Sequence, residues 1–344
     1  MNRNMKAWKE EIIDAKCKKP MPILSFPSVQ LMGVTVRELV SSSELQARGM
    51  KLVADRTPSL ASLSLMDLSV EAEAFGSSIH ISDNEVPTVI GSIVSTEEEA
   101  NSLTIPKIGT ARTGLYIESV RKASELITDR PVFAGVIGPY SLAGRLMDVS
   151  EIMILCYDEA DMVHTVLEKA SDFLISYCRA YKAAGANGVV MAEPLAGLLS
   201  PSLAKEFAHP YAEKIISAVQ DENFSIIYHN CGDNVKLMTK DIYALGAYGY
   251  HFGDAVKMED MLPDAPGDVL VMGNVSPSEQ LLCGTPESVR ETTLRIMEKC
   301  CVYPNFVISS GCDIPPMTPW ENLDSFFRAA ADFYSAEIKN SKNT

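Results

Sequence analysis

From about residue 130 onward, short apolar runs alternate with long amphipathic stretches. The runs are Pro131–Ile137, Gly188–Ala192, Phe224–Tyr228, Tyr248–Phe252, Val269–Met272 and Phe306–Ser309. Runs this short, rich in β-branched and aromatic residues and followed by Gly or polar residues, read as buried strands. Between them, apolar positions recur at helical spacing over Ser150–Ala184, Pro201–Gln220, Asn234–Leu245 and Pro286–Cys300. Alternating strand and helix predict βα units, a parallel sheet and right-handed crossovers. Two further strands, at Ser62–Met66 and Pro87–Val94, bring the count to eight. That number fits an α/β fold of the (β/α)8 TIM-barrel type better than an open doubly wound sheet.

The N-terminal third has a weaker pattern. Trp8, Ile12 and Ile13 suit an amphipathic opening helix. Residues 67–83 read as a helix followed by an exposed hairpin, and Val94–Ile108 as a loop with a short helix. These elements would cap the barrel mouth. No linker or repeat divides the chain, so a single domain over residues 1–344 is expected, with the cap elements in the first 110.

In such barrels the reacting residues sit at the C-terminal ends of several strands. Here those ends carry Glu193-Pro194, His229-Asn230-Cys231, Asp254, Asn274 and Cys312-Asp313. One imidazole and two thiols, from His229, Cys231 and Cys312, could give zinc three ligands and leave a fourth position free, as in catalytic zinc sites. A thiol substrate taking that position would react as thiolate. The competing reading is a buried histidine and two unrelated packing cysteines. Glu193 could be a fourth, exchangeable ligand, an acceptor for the His229 ring, or a cap on the next turn. Asp254 could orient His229 or a substrate group, or form an Asx turn. Asn274 could touch substrate or cap the helix that follows. His251 reads as packed within or beside its strand.

Bulk properties narrow the class. A formal net charge of -15 argues against nucleic acid or an anionic membrane as partner. No run approaches the ~18 apolar residues of a membrane span. The first residues have charge but no apolar stretch behind it, so no signal peptide is expected. Eight cysteines then point to free thiols in a reducing cytoplasm. Six of them have ordinary readings: Cys156 and Cys178 lie in helical patterns as small buried hydrophobes, Cys17 and Cys283 are incidental, and adjacent Cys300 and Cys301 lack metal-ligand spacing. There is no GxxxxGK[ST], no GxGxxG at a strand end and no GxSxG. Glu97-Glu98-Glu99 is expected to be a solvated helix start.

Four stretches together resemble the uroporphyrinogen decarboxylase superfamily: Met191–Pro201, Tyr228–Asp233, Met272–Pro277 and Ser310–Asn322, with Asp67–Gly76 extending the likeness upstream. Decarboxylases of that superfamily resemble one another in an arginine-rich N-terminal segment that grips an anionic porphyrinogen. The corresponding stretch here, Lys19–Pro27, is followed by no arginine until Arg37. The His-x-Cys…Cys set instead resembles that of the zinc-containing methylcobamide:coenzyme M methyltransferases. The resemblance implies that His229, Cys231 and Cys312 hold Zn2+; by their strand-end positions Glu193 is a further candidate ligand and catalytic residue, and Asp254 and Asn274 are candidates for binding the cofactor. It further implies a small corrinoid protein as partner, methylcobalamin as methyl donor and a thiol such as coenzyme M as acceptor. Dimers are common in the superfamily, so a homodimer is compatible. The alternative it leaves open is metal-free decarboxylation of a tetrapyrrole or related acid.

Overall fold

The strands follow the alternation read from the sequence. In the computed structural model, which describes residues 3–341, they are β1 (Ser62–Leu63), β2 (Ser78–His80), β3 (Thr88–Ile90), β4 (Val132–Ile137), β5 (Gly188–Ala192), β6 (Ser225–Asn230), β7 (Gly249–Phe252), β8 (Leu270–Val275) and β9 (Phe306–Ser310). Seven form one parallel sheet in the order β1-β4-β5-β6-β7-β8-β9. Helices lie between successive strands, as parallel crossovers require.

Pro87–Val94 corrects the expected count of eight barrel strands. Its ordered part, β3, pairs antiparallel with β2 in a separate two-stranded hairpin. Both strands of the hairpin alternate exposed and half-buried positions, which suits a solvated ribbon and not a barrel stave.

The gap between β9 and β1 is spanned by an extended segment, Pro20–Ile23. Met21 N–H donates to Ile308 O (3.0 Å), Ile23 N–H to Ser310 Oγ (3.0 Å), and Leu60 N–H to Pro20 O (2.8 Å). Neither edge strand is therefore left bare over this stretch.

Period-two alternation divides the apolar residues into two cores. Phe133, Val190, Ala192, Ile227, Met272 and Val307 point into the barrel and pack with Met21 and Ile23. Their neighbours Val132, Val189, Met191, Ile226, Val271 and Ile308 face the outer helices. The opening helix, Met5–Asp14, joins the inner core through Met5 and Ile12, and Trp8 packs on Phe133 at 5.8 Å between ring centroids. It plugs the end of the barrel opposite the strand C-termini.

Several helical patterns are interrupted. Ser150–Ala184 falls into Val149–Asp158 and Ala160–Ala183, and Pro201–Gln220 divides before His209-Pro210. Pro at the first turn starts a helix but cannot accept the helix that precedes it. Glu97–Ser102 begins with the capping box of Thr96 and Glu99, in keeping with a solvated helix start. No helix of the described residues is long and apolar enough to cross a membrane.

Candidate metal centre

His229 is the fifth residue of β6, two positions beyond the inward-facing Ile227. The pleat therefore aims its ring into the upper barrel, where it is 1% exposed. Cys231 lies just past the strand. Asn230 shapes the turn there: its Oδ1 accepts from Gly232 N–H at 3.0 Å. Cys312 lies two residues past the end of β9. The three ligand atoms, one imidazole nitrogen and two sulfurs, all lie within 4.8 Å of one another. Cys312 Sγ is 3.4 Å from His229 Nε2. The trio expected from the sequence is thus brought together by strand ends whose cysteines are far apart in the chain.

Close backbone approach makes room for the thiols. A Cβ on Gly253 would sit 2.5 Å from Cys231 Cβ, and one on Gly232 would sit 2.4 Å from the Gly197 carbonyl. Both loops thus need glycine for space, not for an unusual φ.

The two thiols are electrostatically unequal. The hydrogen bond from Cys312 favours thiolate at Cys231 and lowers its pKa. Donating that bond, together with burial, pushes the Cys312 thiol up to about 12. The metal-free pair thus holds on to a proton, which binding a cation would release.

Beneath the trio runs a buried polar chain. His229 Nδ1 lies 2.8 Å from His251 Nδ1 and 3.3 Å from the His251 carbonyl oxygen. His251 Nε2 lies 2.8 Å from Ser309 Oγ, and Ser309 Oγ–H donates to Met21 O at 2.7 Å. Burial first, and then the neighbouring His229, hold His251 well below the ordinary histidine range, so it stays neutral. His251 pairs with His229 in the β6–β7 register. This link was not legible beforehand, because cross-strand register is not written in either strand alone.

The other expected residues lie around this core in different roles. Glu193 is outside the three-residue group. Its carboxylate accepts from Tyr140 N–H (2.7 Å), Ser141 N–H (3.2 Å) and Ser141 Oγ–H (3.0 Å) at the start of the helix Pro139–Met147. An anion is favoured at that position, yet burial still pushes its pKa up to about 8. A Cβ at Gly138 would sit 2.1 Å from Glu193 Cγ, so glycine keeps the space this side chain fills. Asp254 is exposed and close to Gly311, and His229 Nδ1 is given to His251 rather than to Asp254. Asn274 spends its amide on Gly253 O (2.9 Å) and Val256 O (2.7 Å), pinning the loop after β7. Asp254 and Asn274 share a cleft of about 260 Å³ with Lys257, Gln280 and Arg295. Asp313 is half-buried, and loss of solvent around its carboxylate raises its pKa well above the ordinary carboxylate range.

The chain is 28% identical over 274 residues to the methylcobamide:CoM methyltransferase MtbA of Methanosarcina acetivorans, covering 78% of each chain. It is 26% identical over 276 residues to MtaA of Methanosarcina barkeri, again covering 78% of each. A uroporphyrinogen decarboxylase of Coxiella burnetii is 25% identical over 299 residues, covering 83% of this chain and 80% of that one. Among solved structures, a methyltransferase from Methanosarcina mazei superposes with a TM-score of 0.84 at 23% identity, covering 96% of this chain and 99% of that one, and so shares its fold. The profile of the family described as uroporphyrinogen decarboxylase (URO-D) matches residues 23–333, from the barrel-closing segment into the last helix, and the chain belongs to that family.

Proposed function

We propose that this chain is a zinc-dependent methyltransferase. It moves a methyl group between a corrinoid, carried as methylcobalamin on a small partner protein, and a thiol such as coenzyme M. The observation that carries the reading is the convergence of one imidazole nitrogen and two sulfurs within 4.8 Å at the barrel mouth. Such a borderline-soft donor set suits zinc and leaves a tetrahedral position for substrate. The similarity to MtbA and MtaA supports methyl transfer as the reaction class.

His229, Cys231 and Cys312 would hold the ion, which when bound would favour the thiolate form of an entering thiol. Strands β6 and β9 keep the three donors in register. Asn274 holds the loop after β7 beside them. Glu193 supplies a fourth, exchangeable oxygen only on releasing Tyr140 and Ser141; in the geometry described it anchors a helix. The reaction is an in-line displacement. The substrate sulfur forms a bond to the methyl carbon as the cobalt–carbon bond breaks, and that bond's electron pair stays with the corrinoid. Fixing sulfur and methyl in one site replaces a bimolecular encounter by geometry.

The decarboxylase alternative is the weaker one. The stretch Lys19–Pro27 has no arginine with which to hold a polyanion, and its Pro20–Ile23 portion is committed to sealing the barrel. The test is metal content of reduced, chelator-free protein and of Cys312→Ala, followed by thiol-dependent loss of methylcobalamin absorbance. About one zinc per chain, absent from the variant, and demethylation with coenzyme M are expected. A zinc-free wild type with full methyl-transfer activity would sink the mechanism, and uroporphyrinogen should then be assayed.

A further inference from the structure

We propose that the buried chain His251–Ser309–Met21 carbonyl sets the tautomer of His229, making His251 a positioning residue of the metal centre. The inference rests on the zinc reading above and concerns only how this chain presents its imidazole donor. The direction of every hydrogen bond follows from the far end. The Met21 carbonyl can only accept, so the Ser309 hydroxyl must donate to it. Ser309 Oγ is then an acceptor toward His251, whose Nε2 must carry a hydrogen. No carboxylate is among the hydrogen-bond partners of His251, and a buried imidazolium without one would be costly. A neutral ring with hydrogen on Nε2 has a bare Nδ1. At 2.8 Å from it, His229 Nδ1 must be the donor. The His251 carbonyl, 3.3 Å away, asks for the same N–H. His229 is therefore left with an unprotonated Nε2, the atom that faces Cys312 at 3.4 Å.

The tautomer needed for ligation is thus selected before any ion arrives. His229, His251 and Ser309 are 1%, 2% and 0% exposed, so water does not compete for these bonds. The chain also links the centre to barrel closure, because its terminal acceptor belongs to the segment between β9 and β1. Histidine ligands commonly use a partner on the second nitrogen in this way; here the partner is a second histidine with its own fixed tautomer.

Two measurements test this. Two-bond proton–nitrogen spectra of reduced, metal-free wild type, labelled on histidine, should place the His229 hydrogen on Nδ1. A hydrogen on Nε2 overturns the inference whether or not the protein binds zinc. Zinc affinity, read by competition with a chromophoric chelator, should then separate three variants. His251→Phe, which can neither accept nor donate, should weaken binding by ~10–100-fold. His251→Gln can accept from His229 with its carbonyl and donate to Ser309 with its amide, so it should retain most of the affinity. Ser309→Ala should fall between them. Equal losses in His251→Phe and His251→Gln would mean packing alone, and unchanged affinity in His251→Phe would remove the role altogether. A wild type that binds no zinc would sink the metal reading instead, leaving the tautomer spectrum to judge the hydrogen-bond chain.

Discussion

The barrel mouth carries two buried polar clusters with opposite character. Beyond β1, Asp67 accepts from Arg112 Nη1 (2.5 Å), Tyr116 OH (2.6 Å), Ser69 Oγ (2.5 Å) and Ser69 N–H (3.2 Å). Arg112 also reaches Glu73 Oε2 at 2.6 Å and Ser69 Oγ at 2.8 Å. Burial works against the guanidinium, but Asp67, Tyr116 and Glu73 outweigh it and hold it firmly protonated. Beyond β6 and β9, three donors face one another, with no cationic side chain among the described residues bonded to them. The first cluster answers its own charges and needs nothing from outside. The second brings one nitrogen and two sulfurs within 4.8 Å of one another, the arrangement on which the proposed zinc site rests. Buried polarity at a strand end is thus no sign of chemistry by itself; whether the protein already satisfies it is what separates architecture from function.

The comparison can be broken at either cluster. Arg112→Met should cost about 3–5 kcal/mol in urea denaturation, because it strands the buried Asp67 carboxylate. The zinc content of the protein that folds should not change. A marginal stability loss would mean that the first cluster is not self-sufficient. Cys312→Ala should do the reverse, with thiol-dependent methyl transfer falling at least ~100-fold and the metal-free melting curve hardly moving. Gly232→Ala tests the space around the thiols: its Cβ would meet the Gly197 backbone at 2.4 Å, which should cost about 1–3 kcal/mol.

Glu71 sharpens the first cluster through pH. Its Oε1 accepts from Ile137 N–H (3.0 Å), its Oε2 has no partner, and burial pushes its pKa up to about 8. The folded state therefore keeps a proton that the unfolded chain has already released. Stability is full below the ordinary glutamate range and declines as pH rises through about 8. In Glu71→Gln the difference in urea midpoint between about pH 5 and about pH 8 should shrink, corresponding to about 3–4 kcal/mol. An undiminished difference would show that other groups carry it. The smallest change is expected from Cys283→Ser, at an exposed thiol remote from the trio in sequence: within about 0.5 kcal/mol, with zinc unaffected.

What could be read in the sequence followed from local periodicity. Gly188–Ala192 matches β5 residue for residue, and Pro286–Cys300 matches its helix. The trio was legible because each member ends or follows an apolar run, and a barrel gathers strand ends. Long-range pairing was not legible. Thr88–Ile90 has the composition of a barrel strand, but its partner is the neighbouring Ser78–His80. Pro20–Ile23 has no period to betray it, since its place is set by bonds to residues nearly three hundred positions away. His251 looked like packing because both of its side-chain partners, His229 and Ser309, sit on other strands. Glu193 stood at the right strand end, but its bonds to Tyr140 and Ser141 depend on where the preceding helix begins.

The extended segment Pro20–Ile23 bears on how the molecule is made. It is synthesised well before its partners Ile308, Ser309 and Ser310, which lie nearly three hundred positions further along the chain. The seam at which the ring is sealed therefore waits for β9, and no nascent chain that ends before Ile308 can seal it. Until then the edges of β1 and of the last strand made are open to other chains, the condition in which large proteins are most exposed to misassembly. A ribosome-bound fragment ending at Lys299 should accordingly be protease-sensitive around Met21, and protection there should appear only once β9 has emerged; early protection would show that the seam has another partner during synthesis.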